Sequence, residues 1–178
     1  MAELIMATAT QPGCRELTGV TIITIRHFDD NTSARAAVQA QGLPWPSEPG
    51  QLSGSDPWLA WRSPQEVLAL GFQSPPLQAL LQSLAPGRSE SALAVDLSQA
   101  LCVFELHGAG LEQWLSHLVD ALSIPLPGRA CRCRLADAAV LLLRLEPERV
   151  WLVADRPIAP YLSNWMLYAH QGAFDAAS

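Results

Sequence analysis

The spacing of apolar positions changes along this chain, and each spacing predicts an element. Residues 20–26, Val-Thr-Ile-Ile-Thr-Ile-Arg, are β-branched, which suits a pleated strand. Residues 32–41 are rich in Ala and are followed by Gly42, the mark of a short helix with a glycine stop. Leu77, Leu80, Leu81 and Leu84 recur at i, i+3, i+4 and i+7, so they line one face of a helix that Pro86-Gly87 ends. Leu111, Trp114, Leu115 and Leu118 repeat that stripe. Ile158, Tyr161, Leu162, Trp165 and Met166 line a closing helix. Apolar runs of strand length lie at 93–97, 101–106, 130–135, 139–145 and 150–154. The last three have short connections, which makes them antiparallel.

Residues 43–57 interrupt the pattern. Pro44, Pro46, Pro49, Gly50, Gly54 and Pro57 make them a surface crossing anchored by Trp45 and Trp58. Residues 58–61 and 67–71 then predict a hairpin about a turn at 62–65. Ser63 and Glu66 also have capping-box spacing, with Pro64 where a helix would begin, but Gly71 ends the run too soon for an ordinary helix. From residue 91 the order is ββαβββα. The expected fold is α+β, an antiparallel sheet covered by helices, in two lobes. Residues 1–19 form an N-terminal arm, 20–90 an N-terminal α+β lobe, 91–170 a C-terminal lobe and 171–178 a tail.

Composition narrows the chemistry. The chain has 178 residues and a net charge of −6, so an acidic surface repels nucleic-acid phosphates. All eleven basic residues are Arg. With no Lys, neither a Schiff base nor a Walker-type phosphate loop is available. The first residues carry an acid where a secretory signal carries positive charge, and no run approaches the about 20 apolar residues of a membrane span. A cytoplasmic, soluble protein is expected. The four cysteines, Cys14, Cys102, Cys131 and Cys133, are then expected as free thiols, with the Cys131-x-Cys133 pair in a structural role.

No residue is assigned as catalytic or metal-binding. His107-Gly108-Ala109-Gly110 stands between a strand and a helix, as dinucleotide and esterase loops do, but the third glycine of a fingerprint and a nucleophile elbow are both missing. A tight strand-to-helix turn is the simpler reading. His27, His107, His117 and His170 are scattered, and surface or capping roles are expected. Asp96 is the best polar candidate: a carboxylate there either grips a ligand nitrogen or caps nearby backbone N–H groups. Six Trp are many for a small core, so Trp45, Trp58, Trp61 and Trp165 are interface candidates.

Several motifs recur together in one order: Gly42-Leu43-Pro44-Trp45-Pro46, Trp58-Leu59-Ala60-Trp61, Ser63-Pro64-Gln65-Glu66 and Val95-Asp96-Leu97-Ser98. Gly108, Ala130-Cys131-Arg132-Cys133-Arg134-Leu135-Ala136 and Pro160-Tyr161-Leu162 with Trp165 follow. In this order, over about residues 15–170, the chain resembles the gamma subunit of heterotetrameric sarcosine oxidase. The resemblance implies a fold related to the folate-binding T-protein of glycine cleavage. It also implies a non-catalytic subunit, with alpha, beta and delta subunits as partners. That complex oxidises sarcosine with oxygen to glycine and hydrogen peroxide and passes the one-carbon unit to tetrahydrofolate. FAD, FMN, NAD, zinc and tetrahydrofolate are expected on the other subunits and none on this chain alone. Two rivals are a free-standing folate-binding module of the same fold, with Asp96, Arg134 or Arg144 holding the ligand, and, further off, a hydrolase built on His107-Gly108.

Overall fold

The computed structural model describes residues 3–9, 11–28 and 30–174. Strands β1 (Glu3–Ile5), β2 (Gly13–Leu17) and β3 (Thr21–His27) precede helix α1 (Thr32–Ala40). Strands β4 (Leu52–Gly54), β5 (Trp58–Ser63) and β6 (Glu66–Gly71) lead to α2 (Ser74–Ser83). Then come β7 (Ala92–Asp96), β8 (Leu101–His107) and α3 (Leu111–Leu118). Strands β9 (Arg129–Leu135), β10 (Ala138–Glu146) and β11 (Arg149–Asp155) and helix α4 (Ala159–Phe174) follow. These elements form two units, residues 19–99 and residues 1–18 with 100–178. The fold is α+β with antiparallel sheets, as the pattern predicted.

In the unit of residues 19–99, five strands pair in the order β4-β5-β6-β3-β7. The inward residues Ile23, Ile25, Leu59, Val67, Ala69, Ala92 and Ala94 pack with Ala34 and Val38 of α1 and Leu77 and Leu80 of α2. Helix α1 stops where the sequence placed its glycine. Gly42 takes a φ of 71°, Gly42 N–H donates to Gln39 O at 2.9 Å and Leu43 N–H to Val38 O at 3.3 Å. This is the Schellman pattern, which only a residue at ease with positive φ completes cheaply. The β5–β6 hairpin is real. Ser63 pairs with Glu66 across a two-residue turn, and Ser63 Oγ accepts from Gln65 N at 3.3 Å.

In the other unit, six strands pair in the order β1-β2-β8-β11-β10-β9. Cys102, Phe104, Leu106, Val150, Leu152, Val140 and Leu142 form the face that α3 and α4 cover. The stripe Leu111, Trp114, Leu115 and Leu118 is buried, as its spacing demanded. Trp114 is the centre of this core. Its Nε1 donates to Met166 O at 3.3 Å and its ring meets His170 edge-on, 5.2 Å between centroids.

Three expectations need correction. Residues 1–19 are not an arm, because β1 and β2 extend the six-stranded sheet and β2 pairs with β8. Gly13 makes this possible: a Cβ there would lie 2.5 Å from Ala7 N and 2.7 Å from Ile5 O, where β1 turns back on β2. The lobe boundary at 90/91 falls in the wrong place, because β7 pairs with β3 and so belongs with residues 19–99. The tail begins later than 171, because α4 runs through Phe174; residues 175–178 lie outside the described residues.

Candidate functional site

The sequence-predicted polar candidates are held by local structure. Asp96 is exposed at the end of β7, where its Oδ1 accepts from Ser98 N at 2.8 Å and Ser98 Oγ at 2.6 Å. This is an Asx turn, the capping alternative named above. Ser98 Oγ in turn accepts from Ile22 N at 2.9 Å, so the turn ties β7 to β3. Arg134 is exposed and donates to Asp137 O at 2.6 Å across the β9–β10 turn. Arg144 is buried; it donates to Pro125 O at 3.2 Å and Pro147 O at 2.7 Å and pairs with Glu112 at 2.6 Å. Arg134 stands opposite Ala139 and Arg144 opposite Arg129 in the β9–β10 register. Strand alternation therefore sends the two guanidiniums to opposite faces.

The glycine loop is a turn. Gly108 and Gly110 have φ of 107° and 78°, and Gly110 precedes the first residue of α3. His170 is not a surface cap. It is buried, its ring nitrogen lies 3.1 Å from Pro12 O, and it packs between Trp114 and Phe174. Trp45 is corrected from interface candidate to core, 8% exposed against the α1 and α2 cluster. Trp58 and Trp61 are half-buried on β5. Trp165 alone of the four is exposed, at 40%.

Trp165 belongs to the largest uncovered apolar feature of α4. The inward side of that helix is Leu162, Met166, Ala169, His170 and Ala173. Tyr161, Trp165 and Tyr168 stand on another side, all exposed. They stack edge to face in a row, 6.5 Å from Tyr161 to Trp165 and 5.7 Å from Trp165 to Tyr168. With Asn164 they line a shallow hollow of about 350 Å³. No Asp, Glu, Lys or Arg occurs anywhere in the sixteen residues of α4. A solvated helix ordinarily carries charge opposite its buried stripe; this one carries aromatic rings.

A second feature was missed by sequence reasoning. Glu105, the one charged residue of β8, is buried at the centre of the six-stranded sheet. Register sets Arg15 of β2 on one side of it and Trp151 of β11 on the other. Arg15 Nε donates to Oε1 at 3.0 Å; Arg149 Nε and Trp151 Nε1 donate to Oε2 at 2.6 and 2.9 Å. Burial raises the carboxyl pKa, but the hydrogen bonds from Trp151, Arg15 and Arg149 and the charge of Arg149 outweigh it. The net result is a fall from 4.5 to about 2. A charge inside an apolar run was the signal. Every acceptor oxygen is engaged, so the cluster is a structural clamp.

A chain of heterotetrameric sarcosine oxidase from Corynebacterium sp. U-96, solved in complex with pyrrole 2-carboxylate, has this fold. It superposes with a TM-score of 0.82 at 23% identity, covering 95% of this chain and 88% of that one. The glycine cleavage system aminomethyltransferase T from Bartonella henselae also shares it, with a TM-score of 0.65 at 14% identity. That match covers 90% of this chain but 46% of the aminomethyltransferase, so this chain spans about half its length. No protein-family model matches the sequence, and no curated protein matches it.

Proposed function

We propose that this chain is a non-catalytic, gamma-like subunit of a heterotetrameric sarcosine-oxidase-like flavoenzyme. The uncharged aromatic face of α4 carries the reading. An exposed row of Tyr161, Trp165 and Tyr168 costs solubility unless another protein covers it, and rigid aromatic rings are the residues that anchor permanent interfaces. The fold likeness to a chain of a four-subunit oxidase supports the choice of partner. In this reading the occupant is the larger, flavin-bearing subunit. FAD, FMN, NAD, zinc and tetrahydrofolate sit on the other subunits, and the assembled complex demethylates sarcosine. The folate-binding alternative draws support from the aminomethyltransferase fold. It is not preferred, because Asp96, Arg134 and Arg144 already serve turns and strand connections.

The test is purification of the tagged full chain from its native host. The expected product is a yellow complex whose sarcosine-dependent peroxide release co-elutes with the chain. Trp165→Asp should weaken that association by about thirtyfold or more, as loss of a central aromatic anchor does. Recovery of the unmodified chain without a flavoprotein overturns the proposal. So does a Trp165→Asp chain, folded by circular dichroism, that retains its partner in full.

A further inference from the structure

The face of the five-stranded sheet turned away from α1 and α2 carries a groove that none of the functions above uses. The β3 register puts Arg26 between Glu66 of β6 and Leu93 of β7, and Thr24 between Leu68 and Val95. Strand alternation points Thr24, Arg26, Glu66, Leu93 and Val95 to the same side. In β5, Ala60 stands opposite Leu68, so the same alternation adds Arg62 to that side. The result is a groove of about 280 Å³ with Phe28 and Leu97 completing its walls.

One end of the groove is ionic. Glu66 Oε1 accepts from Thr24 Oγ1 at 2.7 Å and from Arg62 Nη1 at 2.9 Å, and Arg26 Nε stands 3.9 Å away. Two guanidiniums thus share one oxygen of one carboxylate. Each guanidinium has five N–H donors. Arg62 uses one of them on Glu66, and Arg26 is too far from Glu66 for a true hydrogen bond. The cluster keeps one net positive charge in a chain whose net charge is −6. The other end is apolar and open. Phe28 is 62% exposed and Val95 40%, with Leu93 and Leu97 half-buried beside them.

We infer that this groove is a binding site for a small monocarboxylate with an apolar body. The carboxylate bridges Arg26 and Arg62, whose planar forks match it. The body lies along Val95 and Leu97 under Phe28. One surplus charge suits a monoanion better than a phosphate dianion. The volume holds about nine waters' worth of matter, which suits an acid of roughly a dozen heavy atoms. Such a ligand in an open groove reaches a Kd of about 1 mM.

The test is a titration of the isotope-labelled full chain with 4-phenylbutyrate, followed by amide chemical shifts. It needs no partner subunit, so its outcome is separate from that of the subunit proposal. Saturable shifts confined to residues 22–28, 62–68 and 93–97 are expected. The uncharged 4-phenylbutyramide and inorganic phosphate should each bind at least about tenfold more weakly. Arg26→Gln should raise the Kd about tenfold while leaving the rest of the spectrum unchanged. Thr24 and Arg62 hold Glu66 without Arg26, so that variant keeps its fold. The proposal is overturned by the absence of saturable shifts at about ten times the expected Kd, by equal binding of the amide or phosphate, or by shifts centred on α4.

Discussion

Replacing Glu105 by Gln removes the charge at the middle of the six-stranded sheet and keeps the side chain's shape. Two estimates bound the cost. The carboxyl pKa falls from 4.5 in an unstructured chain to about 2 here, and each unit is worth about 1.4 kcal/mol, so folding favours the carboxylate by roughly 3 kcal/mol. Removing one partner of a buried ion pair costs about 3–5 kcal/mol when the other stays buried. Arg15 and Arg149 have side chains 42% and 37% exposed, so they turn toward water and the cost stays near the lower figure. Glu105→Gln should therefore lose about 2–3 kcal/mol at pH 7, read as a lowered midpoint in urea with an unchanged slope. The pH dependence gives an independent check. A depressed pKa contributes stability that is complete above the unfolded value and is lost as pH falls from 4.5 toward 2. By pH 3.5 about 1.4 kcal/mol of the difference between wild type and variant should be gone. A gap under about 1 kcal/mol at pH 7, or one that does not narrow on acidification, refutes the reasoning.

Two further outcomes follow from the cores and thiols. Trp114→Ala should cost about 3–5 kcal/mol and release α4, because the ring fills the core beneath that helix and bonds Met166 O; amide exchange in α4 should then outpace exchange in α1 and α2. Burial pushes the Cys102 thiol up to about 11, with the charge of Glu16 adding to it, and burial with the neighbouring Cys131 pushes Cys133 up to about 12. At pH 8 the buried Cys102 should react with a disulfide reagent only on the timescale of unfolding, and the half-buried Cys133 far more slowly than a free thiol because little of it is thiolate, while all four cysteines react in denaturant. Fast stoichiometric labelling of Cys133 in the native chain would contradict this.

What the sequence disclosed was whatever depends on neighbours a few residues apart. The stripes of α2 and α3, the glycine stop after α1 and the β5–β6 hairpin are of this kind, whereas the stripe predicted for α4 keeps Leu162 and Met166 inside but leaves Tyr161 and Trp165 exposed. Strand partners are not. The run at residues 92–96 looks the same whether it pairs with β8 or with β3, and only the fold decides. The pairing of β2 with β8 joins segments about ninety residues apart, so nothing local in residues 13–17 announces it. The candidate sites divide the same way. Trp165 was legible as an interface candidate because six Trp are more than a small core takes in. The Arg26–Arg62–Glu66 cluster was not: its members come from three strands, and only the pairing of those strands brings them together.

The split sheet has a consequence during synthesis. Residues 19–99 can pair off among themselves as soon as they leave the ribosome, because every strand of their sheet lies within that span. The first two strands pair with each other, but the second edge of β2 has to wait. Its neighbour there, β8, is made only after all of that unit, and at about 5–20 residues per second the nascent chain waits for seconds with that edge open. An open strand is a template for the wrong partner. The stretch of this polypeptide that looks least patterned is therefore the one most in need of a chaperone's shelter while the rest is being made.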